Sequence, residues 1–197
     1  MPRTLHWFKW ESALTWISGM FLLIVVYYMG GLMLESGSEM SELTASLIGI
    51  GVLIFGYGAY YLLWNSPLGT NEIVGSIIFF ILIILLFVGL DLLFSSRAAM
   101  MHIGAVFGTI MTANVWMTIL PAQRKMIAAV EHNESADMSL ATRAKRCSKH
   151  NTYMSVPLIL IMISSHFPVT TYGNTYNWLI LGGFILLGGL AAKWMRG

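Results

Sequence analysis

Apolar and polar residues are segregated along this chain in blocks of whole-helix length. Six apolar runs occupy residues 14–34, 43–64, 73–94, 98–120, 152–167 and 176–194. Runs of this order match the ~20 residues a helix needs to cross about 30 Å of hydrocarbon at 1.5 Å per residue. The pattern predicts an all-α integral membrane protein, a bundle of about six transmembrane helices in one domain over residues 1–197. The one sizeable segment between runs is 121–150, where "RKMIAAVEH" can carry the fourth helix past Pro121 and "HNESADMS" reads as a polar turn. No internal repeat is evident.

Composition agrees with this class: 57% of residues are hydrophobic, 10% are charged and the mean hydropathy is +0.73. Charge then adds an orientation. If six helices alternate, ten of the eleven basic residues (Arg3, Lys9, Arg124, Lys125, Arg143, Lys145, Arg146, Lys149, Lys193, Arg196) fall on one side and only Arg97 on the other. The positive-inside rule places both termini and the 121–150 segment in the cytoplasm. "ESGSEMSE" and "TTYGNTY" lie on the outer side. The net charge of +2 is therefore a topology signal and gives no reason to expect nucleic acid. The N-terminal "MPRTLHWFKWE" lacks the form of a cleaved secretory signal. Cys147 is the single cysteine, which leaves no disulfide framework and no c-type haem attachment motif.

Small residues at helical spacing, Gly104 and Gly108 in the fourth run and Gly182, Gly183, Gly188 and Gly189 in the sixth, let helices approach closely in lipid. Missing side chains of this kind can also leave room for a flat macrocycle. Trp7, Trp10, Trp64, Trp178 and Trp194 lie near run ends and read as interfacial anchors.

Ionisable groups inside the spans carry the most information, because burial in lipid makes them costly. Asp91, Arg97, His102 and His166 fall at similar depth near the outer side. Two histidines on facing helices at one level can clamp a b-type haem, with Arg97 beside its propionates and Asp91 as a hydrogen-bond partner of a ligating imidazole. Alternatively, His102 is a satisfied buried histidine bonded to a neighbouring carbonyl or to Asp91, and His166 is an interfacial residue ahead of Pro168.

A second polar group gathers on the cytoplasmic side: His6, Lys9 and Glu11 before the first run, Gln123, Arg124 and Lys125 after the fourth, and Lys149, His150, Asn151 and Tyr153 at the start of the fifth. It forms either a solvated basic rim against anionic headgroups or a pocket in which Gln123, Arg124, His150 and Asn151 hold a planar anion. His150 and His166 are sixteen residues apart, about 24 Å along a helix, and so serve different faces. Asn114 is an amide deep in the fourth run, placed to hydrogen-bond across helices.

"LHWFKWESALTWISG", "RAAMMHIGAVFGTIMTANVWMTILPAQRKM", "RCSKHNTYMSVPLILIMISSHFP" and "YNWLILGG" together resemble the membrane domain of bacterial cytochrome-c-linked urate hydroxylases, the urate oxidase N-terminal domain family. The resemblance covers most of the chain, in the family's order. It implies a haem-linked oxidoreductase or electron-transfer subunit of the bacterial inner membrane, with urate hydroxylated to 5-hydroxyisourate and electrons delivered to a c-type cytochrome. In the family, a further helix with its own histidine precedes the "LHWFKWE" segment and a C-terminal cytochrome c domain is typical. Here these parts are expected from other membrane subunits, or the chain is a shortened relative. The competing expectation is a non-catalytic subunit packed within a larger respiratory or energy-converting complex. Transport is disfavoured, because paired broken helices and midplane charges are lacking.

The charge distribution sets a first test. A reporter fused after Gly197 is expected to read cytoplasm and one inserted at Ser38 the outer compartment; both reading the same side would overturn the sidedness.

Overall fold

The computed structural model describes residues 3–196 and is all-α. The helices are α1 (Arg3–Leu23), α2 (Glu42–Asn65), α3 (Glu72–Asp91), α4 (Ser96–Ala113), α5 (Leu120–Glu131), α6 (Met138–Ser164) and α7 (Asn177–Arg196). Two π-helical turns extend them: Ile24–Tyr28 continues α1, and Asn114–Ile119 joins α4 to α5 in one rod. Among the described residues, five helical segments are long and apolar enough to cross a membrane: His6–Tyr28, Glu42–Asn65, Glu72–Asp91, Ser96–Glu131 and Asn177–Arg196. The sixth helix of the bundle, α6, is polar in its first half and apolar from residue 152 onward.

Helix starts follow side-chain chemistry. Ser41, Asn71, Ser95 and Asp137 each accept a hydrogen bond from a backbone N–H of the first turn of α2, α3, α4 and α6, satisfying donors that no carbonyl can reach. Asp137 explains a difference from the apolar pattern. The cap starts α6 at Met138 rather than 152, because polar residues outside the hydrocarbon still propagate a capped helix. At its other end α6 stops at Ser164, and His166 and Phe167 enter a turn ahead of Pro168. The first helix ends at Tyr28 rather than 34, before Gly31, whose φ of +67° is a left-handed conformation.

At the centre of the bundle lies α4, which packs against α1, α2, α3 and α6. Half of its apolar stretch is buried, against 11–28% for the other four spans. Ile103, Val106, Phe107 and Ile110 form its inner stripe at three- and four-residue spacing. Lipid offers little hydrophobic drive between helices, so close contact depends on small residues. A Cβ at Gly56 of α2 would lie 2.7 Å from Val106, and one at Gly104 of α4 would lie 3.2 Å from Ile161. At Gly188 of α7 it would lie 2.6 Å from the Pro157 ring of α6. Gly108 and Gly183 face open space and perform no such packing.

Gly188 faces a proline ring and its backbone nitrogen, neither of which can yield. Gly188→Ala is expected to part α6 from α7 at a cost of about 1–3 kcal/mol, whereas Gly183→Ala should stay within about 0.5 kcal/mol of wild type. Unfolding in mixed detergent micelles compares the two; equal stabilities would contradict the packing role.

Candidate functional site

The bundle holds a polar group near each end, and both are built on a π-helical turn. At the end opposite the basic residues, Ile24–Tyr28 widens the helix so that the adjacent residues Tyr27 and Tyr28 both face His102, with ring centroids 6.4 and 5.8 Å away. His102 is completely buried. Its Nδ1 lies 2.8 Å from the Ala98 carbonyl oxygen, one turn earlier on α4, and its Nε2 lies 3.1 Å from the Tyr28 hydroxyl. A carbonyl only accepts, so Nδ1 carries the proton and Nε2 accepts from Tyr28. Phe94 closes a third side at 5.4 Å, and a Cβ at Gly49 would lie 2.7 Å from Nε2.

Of the four residues expected to share this level, three meet at one end but not as a unit. Asp91 Oδ2 accepts from Asn177 at 3.1 Å and does not serve His102. Arg97 is half-buried beside Tyr27. His166 is exposed in the turn after α6. The Nδ1–H···O=C arrangement of His102 is that of a metal-binding imidazole. The space in front of Nε2 is nonetheless filled by Tyr28 and the α2 backbone. The residues as packed do not fit a haem clamped between His102 and His166. Among the described residues, no group of three or more His, Cys, Asp or Glu side chains is placed to hold a metal ion.

The basic end differs. Asn114 opens the second π-helical turn and points into the bundle, 3% exposed. A chain of hydrogen bonds orients each member in sequence. Asn151 Nδ2 donates to the Met111 carbonyl at 3.0 Å, which turns its Oδ1 toward Asn114. Asn114 Nδ2 then donates both to Asn151 Oδ1 and to the Tyr60 hydroxyl oxygen, each at 2.9 Å. Tyr60 must direct its own proton elsewhere, and His150 Nδ1 lies 2.8 Å away. The Tyr60 hydroxyl is thus shared between Asn114, His150 Nδ1 and the Cys147 thiol, and the ring nitrogen of His150 that remains is Nε2. That nitrogen has no partner among the described residues.

His150 borders a cavity of about 480 Å³ between α2, α3, α4, α6 and α7. Its walls are aromatic and aliphatic, with Tyr60, Trp64, Phe79, Phe107 and Tyr153 prominent. Glu72 and Lys149 form an ion pair at its basic rim. Trp64 lies 4.1 Å from the His150 ring, centroid to centroid, and is 5% exposed, so it is a buried wall and not the interfacial anchor its position suggested. Of the four residues expected to hold a planar anion, His150 borders the cavity and Asn151 orients it from behind. Gln123 and Arg124 lie outside the lining, the first half-buried and the second exposed. Tyr60, Trp64 and Glu72 escaped the sequence reading. Only the spacing of Tyr60 and Trp64, one turn apart at the end of α2 and on one face, marked them as a pair. Burial pushes up the thiol of Cys147, one turn before His150.

Fold and site together define a multi-pass membrane bundle with one densely filled polar group and one polar relay facing a cavity. The family model described as "Urate oxidase N-terminal" matches residues 1–196, and the chain belongs to that family. No curated protein and no solved structure matches it.

The two ends should respond differently to mutation. His102→Ala removes the acceptor of the half-buried Tyr28 hydroxyl and opens a void around a fully buried position, for an expected loss of about 2–4 kcal/mol. His166→Ala, in an exposed turn, should lie within about 0.5 kcal/mol of wild type. Equal losses in detergent unfolding would show that the two histidines act as a pair.

Proposed function

We propose that this protein works as the membrane-embedded subunit of an oxidoreductase of the urate-hydroxylase type, binding a planar, carbonyl-bearing ring in the cavity beside His150. The observation that carries this reading is the oriented imidazole. Its Nδ1 is held by Tyr60, and its Nε2 is left without a partner on a residue that borders aromatic walls suited to a flat ring. Urate is the ring the family points to: it offers several acceptor oxygens, and its charge is spread over the ring system. The exposed Arg124 supplies positive charge at the same end, and Gln123 a neighbouring amide, so these groups guide approach while His150 makes the contact.

The product in this reading is 5-hydroxyisourate: water supplies the added oxygen, two protons leave, and two electrons pass one at a time to a c-type cytochrome. A b-type haem would supply one-electron transfer between the two. The space at His102 does not accept it as packed, so further membrane subunits are its proposed holders. The protein lies in the bacterial inner membrane with both termini in the cytoplasm, as the basic residues indicate. His150 orients the substrate, and Tyr60, Asn114 and Asn151 hold the imidazole through Nδ1, which leaves Nε2 for the ring.

The test is urate-dependent reduction of a c-type cytochrome by membranes containing this chain and its partner subunits. His150→Ala is expected to lower the rate at least about tenfold, the worth of one lost hydrogen bond in a dry site. His132→Ala, in the exposed turn after α5, should leave it unchanged. If wild-type membranes neither bind nor consume urate, the urate reading falls and the non-catalytic subunit takes its place.

A further inference from the structure

The cavity beside His150 has two unlike borders. At the basic rim Glu72 and Lys149 neutralise each other and tie the start of α3 to α6. On the side away from the bundle axis the border is Ile77 of α3 and Leu186 of α7, side chains 55% and 58% exposed on helix faces that meet hydrocarbon. Ile77 lies five residues beyond Glu72, about 7.5 Å further into the membrane. The rim toward water is thus spanned by an ion pair, and the opening beneath it faces lipid.

What fills such a space is constrained by the lining groups that have no hydrogen-bond partner among the described residues, His150 Nε2 and the hydroxyls of Ser76 and Tyr153. A phospholipid would set its headgroup at the Glu72–Lys149 rim and its acyl chain inside, leaving these groups against hydrocarbon, an expensive arrangement. A ring carrying carbonyls offers them acceptors, fits beside the aromatic walls Trp64, Phe79 and Phe107, and lets an attached tail leave between Ile77 and Leu186. We infer that the cavity binds a lipid-soluble, carbonyl-bearing ring of the quinone class, which enters sideways from the bilayer and accepts a hydrogen bond from His150 Nε2. This rests on the reading that the cavity is the ligand site, and adds a second ligand that shares the imidazole with urate and competes for it.

The experiment is equilibrium binding of a radiolabelled short-tailed benzoquinone to the purified chain in phosphatidylcholine nanodiscs, with and without urate. Saturable binding, weakened at least about tenfold by His150→Ala, supports the inference. Ile77→Trp, a change on a lipid-facing surface that leaves the imidazole intact, should weaken quinone binding to a similar degree while urate binding persists. Quinone binding indifferent to both variants overturns the inference, as does a co-purified phospholipid that quinone fails to displace. Urate binding that depends on His150, with no saturable quinone binding, overturns the inference and leaves the proposed function standing. Absence of both ligands removes both.

Discussion

Pro121 sits where α4 continues into α5, inside a helical rod of 36 residues, and has no N–H to return to the preceding turn. The helix is widened just before it by the π-helical turn Asn114–Ile119, a local change of winding of the kind that often marks functional positions in α-helices. That change of winding turns Asn114 inward. Asn151, from α6, meets Asn114 and also satisfies the Met111 carbonyl. The amide pair then fixes Tyr60, and Tyr60 fixes His150. A change of winding in the central helix thus ends as the orientation of an imidazole on the neighbouring α6.

The same pair of residue types gives opposite results at the two ends. Tyr28 donates to Nε2 of His102 while Nδ1 donates to the Ala98 carbonyl, so both nitrogens are engaged. Tyr60 engages Nδ1 of His150, and Nε2 has no partner among the described residues. The first arrangement ties α1 to α4 and fills its space; the second leaves an open ring nitrogen beside a void. This difference in hydrogen-bond bookkeeping, rather than the residue type, separates a histidine that holds the bundle together from one that can hold a ligand.

Much of the fold was legible because a bilayer enforces apolar runs of fixed length and a charge asymmetry between their ends. The six runs follow from that single periodicity, and the close packing at Gly104 and Gly188 from small residues within it. What depth cannot convey is direction around each helix. His102 and His166 were placed at one level, yet one points into the core and the other lies in a turn set by Pro168. Likewise His150 and Arg124 share an end but not a pocket. Tyr60 and Trp64 were hidden because an aromatic residue at the end of an apolar run looks the same whether it faces headgroups or a cavity.

The cavity itself depends on a side chain that is absent. A Cβ at Gly75 of α3 would lie 2.8 Å from the Trp64 ring. The indole therefore lies against bare α3 backbone on one side and against His150 on the other. Trp64 could not keep that position beside a larger residue; its ring would be driven toward the imidazole and the space next to it. Gly75 thus draws the bulkiest wall of the site aside, while the Glu72–Lys149 pair, less than one turn away on α3, holds the same helix end against α6. The two act on one short segment in complementary ways: the ion pair sets how near α3 stands to α6, and the glycine sets how much of the space between them is left for a ring.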